Sequence, residues 1–488
     1  MNNLSGAALD NKGKGLLDKE VHNGEISAKS EDDISYMEAT KNYIWLAIPS
    51  IAGMLLRRSL DIVNYAVIGQ MGDATYASGL GLGMMTINMV AICLGNGLSG
   101  GIETLCSQAF GRNDNYQAGQ YYKRAQVILT ALFIPQAILL YFATPLLMAS
   151  GQPERSSQIA GEYILICLPG IWCYCQTELL RRFLGAQKVF NVMMNSQIIN
   201  VFLHFVWVFI FVYILDFSYK GVYYASLLTY ILNLALPILY INYSPSCIRE
   251  NCWHSFSSES FKNLGEYLKY GIPSMIMLLF ECWAFELLIF MVGIIGEKEL
   301  GVFVICFNIV MYVFMIPMGC SFAANACIGN SLGASKPKTA RIYSNVCVAS
   351  AVVLSCILGG CQFLLKDIMA DIFIEDEMHD LFTYTITMMV ILSFCQYLQN
   401  ICQGMIKAMG YQKYGTIICL IGYWGVCIPL TYLFTFVWKL EMTGVLLGAP
   451  IGLFAIASGY IFCIYATDFN KLSNEIVQRL QKGTEGKT

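Results

Sequence analysis

Charge is scarce in this sequence. Asp, Glu, Lys and Arg make up 13% of its 488 residues against 56% hydrophobic, and mean hydropathy is +0.56. That is too little charge to clothe a water-soluble protein of this length, and it clusters in short runs between long apolar stretches, so most of the chain has lipid as its solvent. A net charge of −3 and the lack of any Lys/Arg run exclude a nucleic-acid partner. Histidine is equally sparse: His22, His204, His254 and His379 are scattered, no nucleophile motif stands out, and an enzyme is not expected. Cysteine is plentiful, 19 in all, but most sit singly in apolar runs, as Cys93, Cys282, Cys306, Cys347, Cys419 and Cys463 do, where thiols behave as small hydrophobes. Cys173/Cys175 and Cys247/Cys252 lack a second ligand pair at zinc-site spacing, so neither a metal site, a cofactor nor a disulfide framework is expected. No apolar leader with a cleavage site opens the chain. Residues 1–40 read as a polar disordered tail, and the first membrane helix, near Tyr43, serves as the insertion signal.

What the sequence does contain is about twelve segments of the ~20 residues needed to cross ~30 Å of hydrocarbon. The expected fold is an all-α polytopic membrane protein. Positive charge orients it. With helices near 43–69, 76–106, 125–148, 160–180, 190–214, 222–243, 268–295, 301–330, 342–365, 382–406, 414–437 and 444–466, 23 of the 30 Lys and Arg residues fall on the side of the two tails and the even-numbered loops, and five on the other; Arg57 and Arg58 lie inside the first helix. Both termini are therefore expected to be cytoplasmic, in the plasma membrane or a vacuolar or other endomembrane.

The segments repeat. Ile48-Pro49-Ser50 recurs as Ile272-Pro273-Ser274, a shift of 224; Gly97-Leu98-Ser99 recurs as Gly319-Cys320-Ser321, and Gln108-Ala109-Phe110-Gly111 as Asn330-Ser331-Leu332-Gly333, at 222. Arg182 falls on Lys407 and Gly185 on Gly410 at 225. A near-constant offset across six spans predicts two pseudo-symmetric six-helix lobes of the same orientation, about 41–243 and 265–467, related by an axis along the membrane normal. A polar cytoplasmic linker over 244–264 joins them, and 468–488 forms a cytoplasmic tail. Between two such lobes a central cavity is expected, with alternating access by rocking.

Several motifs resemble those of the eukaryotic multidrug and toxic compound extrusion transporters, from about Leu46 to Thr467. The stretch from Gly101 to Gly111, GIETLCSQAFG, resembles the family's "DTLCGQAYGA"; Glu281-Cys282-Trp283-Ala284-Phe285-Glu286 resembles "EWWSFE"; Asn330-Ser331-Leu332-Gly333-Ala334 resembles "NELGAG", and Arg182 to Gln187 resembles "RFLQAQ". His204 sits where many plant members carry a histidine. The resemblance implies export of organic cations, drugs or metabolites against a proton or sodium gradient. Two departures stand out: Gln396 occupies the place of an acid common in the family's tenth helix, and Phe314 that of a Tyr in the eighth.

Candidate site residues follow from the cost of charge in hydrocarbon. An ionised carboxylate in mid-membrane costs several kcal/mol unless paired, protonated or hydrated. Glu281 and Glu286 lie mid-helix with no nearby cation, and burial favours the neutral form, so each is a candidate for exchanging a proton or sodium for a cationic substrate; snorkelling to an interface is the alternative. Five residues apart, they stand ~140° around a straight helix and cannot share one ligand position. Glu281 is expected to face a cavity and Glu286 to lie deeper, though the sequence also supports the reverse. Asp61 lies at i+4 from Arg57 and i+3 from Arg58, the spacing of an intrahelical ion pair, and is also a candidate for a role in the first lobe. The repeat superposes Arg57 on Glu281, which suggests an ion pair across the cavity as a gate. Glu103 and Glu178 read as helix-end stabilisers, Glu178 at i+4 from Arg182. Gln396, Asn64, Asn308, Trp283 and Tyr312 are the expected cavity-lining residues, the aromatics able to hold a flat cation over a ring face. The partners expected are a small organic cation or metabolite, a proton or sodium ion and the bilayer, with the chain a monomer. A lipid-linked oligosaccharide flippase would need a cationic cavity, for which only Arg57 and Arg58 are available, and a non-coupled channel would transport without a counter-gradient.

Overall fold

A chain immersed in lipid must satisfy every backbone N–H and C=O within itself, and helices do so segment by segment. The computed structural model describes residues 34–374 and 376–485, and among these the ordered elements are helices, with no strand. The long ones are α1 (Tyr36–Gly69), α2 (Ala74–Gly111), α3 (Asn115–Tyr141), α4 (Glu154–Ala186), α5 (Asn191–Ile214) and α6 (Tyr219–Tyr243), then α7 (Leu264–Ile295), α8 (Glu297–Gly333), α9 (Pro337–Leu364), α10 (His379–Ala408), α11 (Gln412–Val437) and α12 (Glu441–Ala466). The eleven from α2 to α12 are long and apolar enough to cross a membrane. The 34-residue α1 has its apolar run broken by Arg57, Arg58 and Asp61 and completes the set of twelve. Most of the expected disordered tail, 1–33, lies outside the described residues, whereas 36–40, assigned to that tail, form the first turns of α1.

The internal repeat extends to single turns. At the ends of α2, α4, α8 and α10 the chain reverses through one residue of positive φ: Asn113 (63°), Lys188 (66°), Ser335 (58°) and Gly410 (78°). Asn113 and Ser335 are related by a shift of 222, as are Lys188 and Gly410. Each turn closes with the same pair of bonds: Asp114 N donates to Ala109 O, Val189 N to Leu184 O, Lys336 N to Ser331 O and Tyr411 N to Ile406 O, with a tighter bond inside each. This left-handed helix cap satisfies carbonyls that a helix end otherwise leaves open. These four turns lie on the side of the molecule that also carries the start of α1 and the end of α12, here called the terminal side.

The lobes meet along two equivalent seams. In one, α2 packs on α7; in the other, α8 packs on α1. A Cβ at Gly97 would lie 2.5 Å from Met275 Cα, and one at Gly319 would lie 2.6 Å from Ile51 Cγ1, so each glycine admits the other lobe's backbone. Nearer the terminal side α2 crosses α8, where a Cβ at Gly111 would collide with Asn330 O and one at Gly333 with Gln108 O. These residues are the sequence anchors of the repeat, which are therefore interlobe contacts.

Two segments read as loose are built. The connection 244–263 contains two short turns, Pro245–Cys247 and Ser258–Phe261, and lies against the first lobe. Its Arg249 donates to Phe110 O at 2.5 Å, its backbone N to Gln187 Oε1 at 3.0 Å, and the Lys123 ammonium stands over the Trp253 and Phe256 rings at 5.3 and 4.6 Å. The C-terminal segment, expected to be a tail, folds into α13 (Phe469–Glu485). Its buried Phe469, Leu472, Ile476 and Leu480 recur at helical spacing and it packs mainly on α8 and α9. An amphipathic stripe this short is easily read as solvated chain when its partner surface is unknown.

Candidate functional site

Below the seams, in the half of the bundle away from the terminal side, a cavity of about 410 Å³ opens between the lobes. α1, α2, α4, α5 and α6 supply most of its wall, and α7 and α8 close it with Glu286, Asn308, Met315 and Met318. Its polar groups include Arg57, Arg58, Asp61, Asn64, His204 and Glu286, set among methionines and the rings of Tyr65, Tyr163, Tyr174 and Tyr230. Ion pairs tie down most of the charge. Arg58 Nη1 lies 2.9 Å from Asp61 Oδ2, the i+3 pair expected from the spacing. Arg57 Nη1 lies 2.5 Å from Glu178 Oε1, and its guanidinium stacks 4.4 Å from the Tyr174 ring centre. Glu178 also holds Arg181 at 3.2 Å.

In this conformation Arg57 pairs within its own lobe and not with Glu281, because α4 brings Glu178 beside α1. Glu178 pairs with Arg57 and Arg181 rather than Arg182. The two α7 carboxylates also exchange the places first assigned to them. Glu286 lines the cavity, whereas Glu281 is buried in the second lobe, where Gln403 Nε2 approaches its Oε2 at 3.5 Å. Among the described residues no cation lies within ion-pair distance of either. Around Glu281 are Tyr423 of α11, which donates to Gln399 Oε1 at 3.0 Å, and Tyr460 of α12, which contacts Cys419 Sγ at 2.9 Å.

Of the other expected lining residues, Asn64 and Asn308 face the cavity. Gln396 is buried inside the second lobe, away from it, with an unpartnered Oε1, and Trp283 and Tyr312 lie outside its wall. One network escaped the sequence reading. The His204 ring bridges Thr229 Oγ1 (2.7 Å) and Asn64 Oδ1 (3.0 Å), and Asn64 Nδ2 donates to Ser226 Oγ at 3.1 Å. Its members come from α1, α5 and α6, and the isolated His204 and Asn64 in apolar helices were its hints in the sequence.

The terminal half is shut by polar bonds between lobes. Thr104 Oγ1 donates to Lys407 O at 2.5 Å, Gln108 Nε2 to Ala408 O at 2.7 Å, Asn330 Nδ2 to Ala186 O at 2.9 Å and Tyr267 OH to Leu98 O at 2.9 Å. Glu103 lies between two cations, Arg182 Nη1 of its own lobe at 3.0 Å and Lys407 Nζ of the other at 3.4 Å. Arg479 of α13 reaches Tyr270 and Gln108, one from each lobe, and Arg112 donates to Val477 O at 3.2 Å. The cavity is thus sealed towards the terminal side.

Comparison with known proteins identifies this architecture. The MatE family model matches the chain twice, over residues 49–210 and 273–433, once in each lobe and at the offset of the internal repeat. The chain belongs to the MatE family. Protein DETOXIFICATION 16 of Arabidopsis thaliana is 29% identical over 96% of this chain and 97% of its own length, and Multidrug and toxin extrusion protein 1 of Danio rerio is 25% identical over 91% and 75%. The crystal structure of the eukaryotic MATE transporter AtDTX14 superposes with a TM-score of 0.85, covering 91% of this chain and 99% of that one at 24% identity. The Vibrio cholerae MATE transporter VcmN in its bent form gives 0.77 over 90% and 98% at 17% identity. MatE proteins are transporters of the multidrug and toxin extrusion type, and this one is a multi-pass membrane protein with the two-lobed fold.

Proposed function

We propose that this MatE protein is a secondary active transporter that exports organic cations, drugs or metabolites in exchange for protons, by alternating access between its two lobes. Glu281 carries the reading: it is a buried carboxylate in a membrane helix with no ion-pair partner among the described residues and a single long hydrogen bond from Gln403. A carboxylate in that position is costly when ionised and cheap when protonated, so it alternates between a proton and a cation. Glu286, on the cavity wall, is the group that meets the substrate's charge, and the tyrosines and methionines around it suit a flat apolar body. The terminal side is the cytoplasmic one, as the excess of Lys and Arg in the even-numbered loops favours, so the conformation described opens outwards.

The test is uptake of a panel of fluorescent organic cations into proteoliposomes with an imposed pH gradient, sodium being varied separately. Proton exchange predicts gradient-driven accumulation that Glu281→Gln abolishes. Accumulation that follows a sodium gradient instead assigns sodium as the coupling ion, and flux needing no gradient indicates a channel.

A further inference from the structure

Lys407 occupies a position that neither the cavity nor the buried carboxylate explains. It closes α10 on the terminal side and reaches across the seam to Glu103 Oε2, while Gln403, one turn back on the same helix, approaches Glu281. Lys407 lies outside ion-pair distance of Glu281 but one helical turn beyond Gln403, near enough for its charge to reach the carboxylate. Along one face of α10, a single lysine thus stands between a carboxylate of the opposite lobe and a carboxylate of its own. Arg182, on α4 of the first lobe, holds Glu103 from the other side at 3.0 Å. The remaining titratable neighbours of Glu281 are Cys282 and Glu286 on its own helix, Cys419 and Tyr423 on α11 and Tyr460 on α12; Cys419 also faces Lys407, and Tyr267 faces Glu103. Lys407 is the only cation in this set that belongs to the second lobe.

We propose that Lys407 exchanges carboxylate partners as the lobes move, bonding Glu103 while the terminal side is closed and Glu281 once it opens, so that opening drives the proton from Glu281 towards the terminal side. This rests on the proton-exchange reading of Glu281. The charge arithmetic is simple. With Glu281 protonated, the second lobe presents one uncompensated positive charge to Glu103, and the seam is held shut. With Glu281 ionised, Lys407 is neutralised from within its own lobe and Glu103 loses its attraction across the seam. By reciprocity, separating Glu103 from Lys407 frees the ammonium to stabilise ionised Glu281, and the proton leaves on the side that has just opened. Lys407 touches neither substrate nor the transferred proton; it is a positioning residue for the exchange.

Spin labels attached through click-reactive amino acids at Asn191 and Tyr414, exposed at the terminal-side starts of α5 and α11, report the opening without any substrate. Interspin distances are measured in nanodiscs from about pH 5 to about pH 9, a range wide enough to titrate a perturbed carboxylate. The native protein is expected to gain a longer distance as pH rises, with the open-to-closed ratio changing roughly tenfold, within the 5–150-fold span of ordinary couplings. Glu281→Gln should remain closed at every pH. Lys407→Gln should lose the pH response although Glu281 is intact, and Lys407→Arg should restore it. Glu103→Gln, an independent variant should Lys407→Gln fold poorly, should favour the open distance throughout. A response abolished by Glu281→Gln but preserved in Lys407→Gln, or a Glu103→Gln protein as closed as the native one, overturns this inference alone. A response that survives Glu281→Gln, or a native protein with none, overturns the proton-exchange reading and the partner exchange with it.

Discussion

Removing the Arg57 guanidinium would leave Glu178, buried at the back of the cavity, with Arg181 as its ion-pair partner among the described residues. Breaking a buried pair from one side costs about 3–5 kcal/mol because a charge is left uncompensated, and Arg181 should hold the loss near the lower bound. Arg57→Met is therefore expected to lower thermal stability, and Arg57→Met with Glu178→Gln to recover much of it; a double variant no more stable than the single would show that the pair is not the source. In the linker, burial pushes the Cys252 thiol up to about 11, so at pH 8 roughly one thiol in a thousand is ionised. Its alkylation should be slow in the folded protein and become fast on unfolding, as mass spectrometry of the 244–263 peptide can follow. The sequence made the carboxylates legible, since charge inside apolar helices is conspicuous, but not their surroundings. Spacing along α7 fixed the angle between Glu281 and Glu286 without saying which of them faces α10 and which the cavity. Likewise Arg57 has one candidate partner within its own helix and another 121 residues away, and only the packing of α4 decides for Glu178.

At the scale of elements, the glycine pairs and α13 carry the closure of the terminal side. A leucine at Gly111 would drive into Asn330 O, and the colliding atom is backbone, which cannot swing away. Gly111→Leu should fold each lobe and yet hold the terminal side apart, visible as a longer distance between the labels at Asn191 and Tyr414; an unchanged distance would show that α2 and α8 can slide to admit it. Deleting residues 469–485 exposes the surface covered by Phe469, Leu472, Ile476 and Leu480, each worth about 1.5–3 kcal/mol when fully buried, and removes the Arg479 contacts to both lobes. The truncated protein should melt several degrees lower and spend more time open on the terminal side. Hydropathy and the 222–225 offsets disclosed the helices and their pairing into lobes, because paired spans have similar apolar lengths and share short motifs. They could not disclose α13: its hydrophobic positions are few, and their meaning comes from the α8 and α9 surface they cover.

The whole molecule is two copies of one scaffold used for different purposes. The first lobe contributes most of the cavity wall and neutralises its charges in pairs, Arg58 with Asp61 and Arg57 with Glu178. Among the described residues the second keeps Glu281 without an ion-pair partner and places Lys407 between it and the other lobe. In the proposed mechanism pseudo-symmetry supplies the rocking geometry, and the loss of symmetry at these few residues supplies a direction. The measurement that tests this most directly is substrate-driven proton flux in proteoliposomes, comparing the native protein with Glu281→Gln. The account predicts that adding an organic cation on one side moves protons in the opposite direction, and that Glu281→Gln stops this flux while the protein stays folded; equal proton flux in the variant would contradict it.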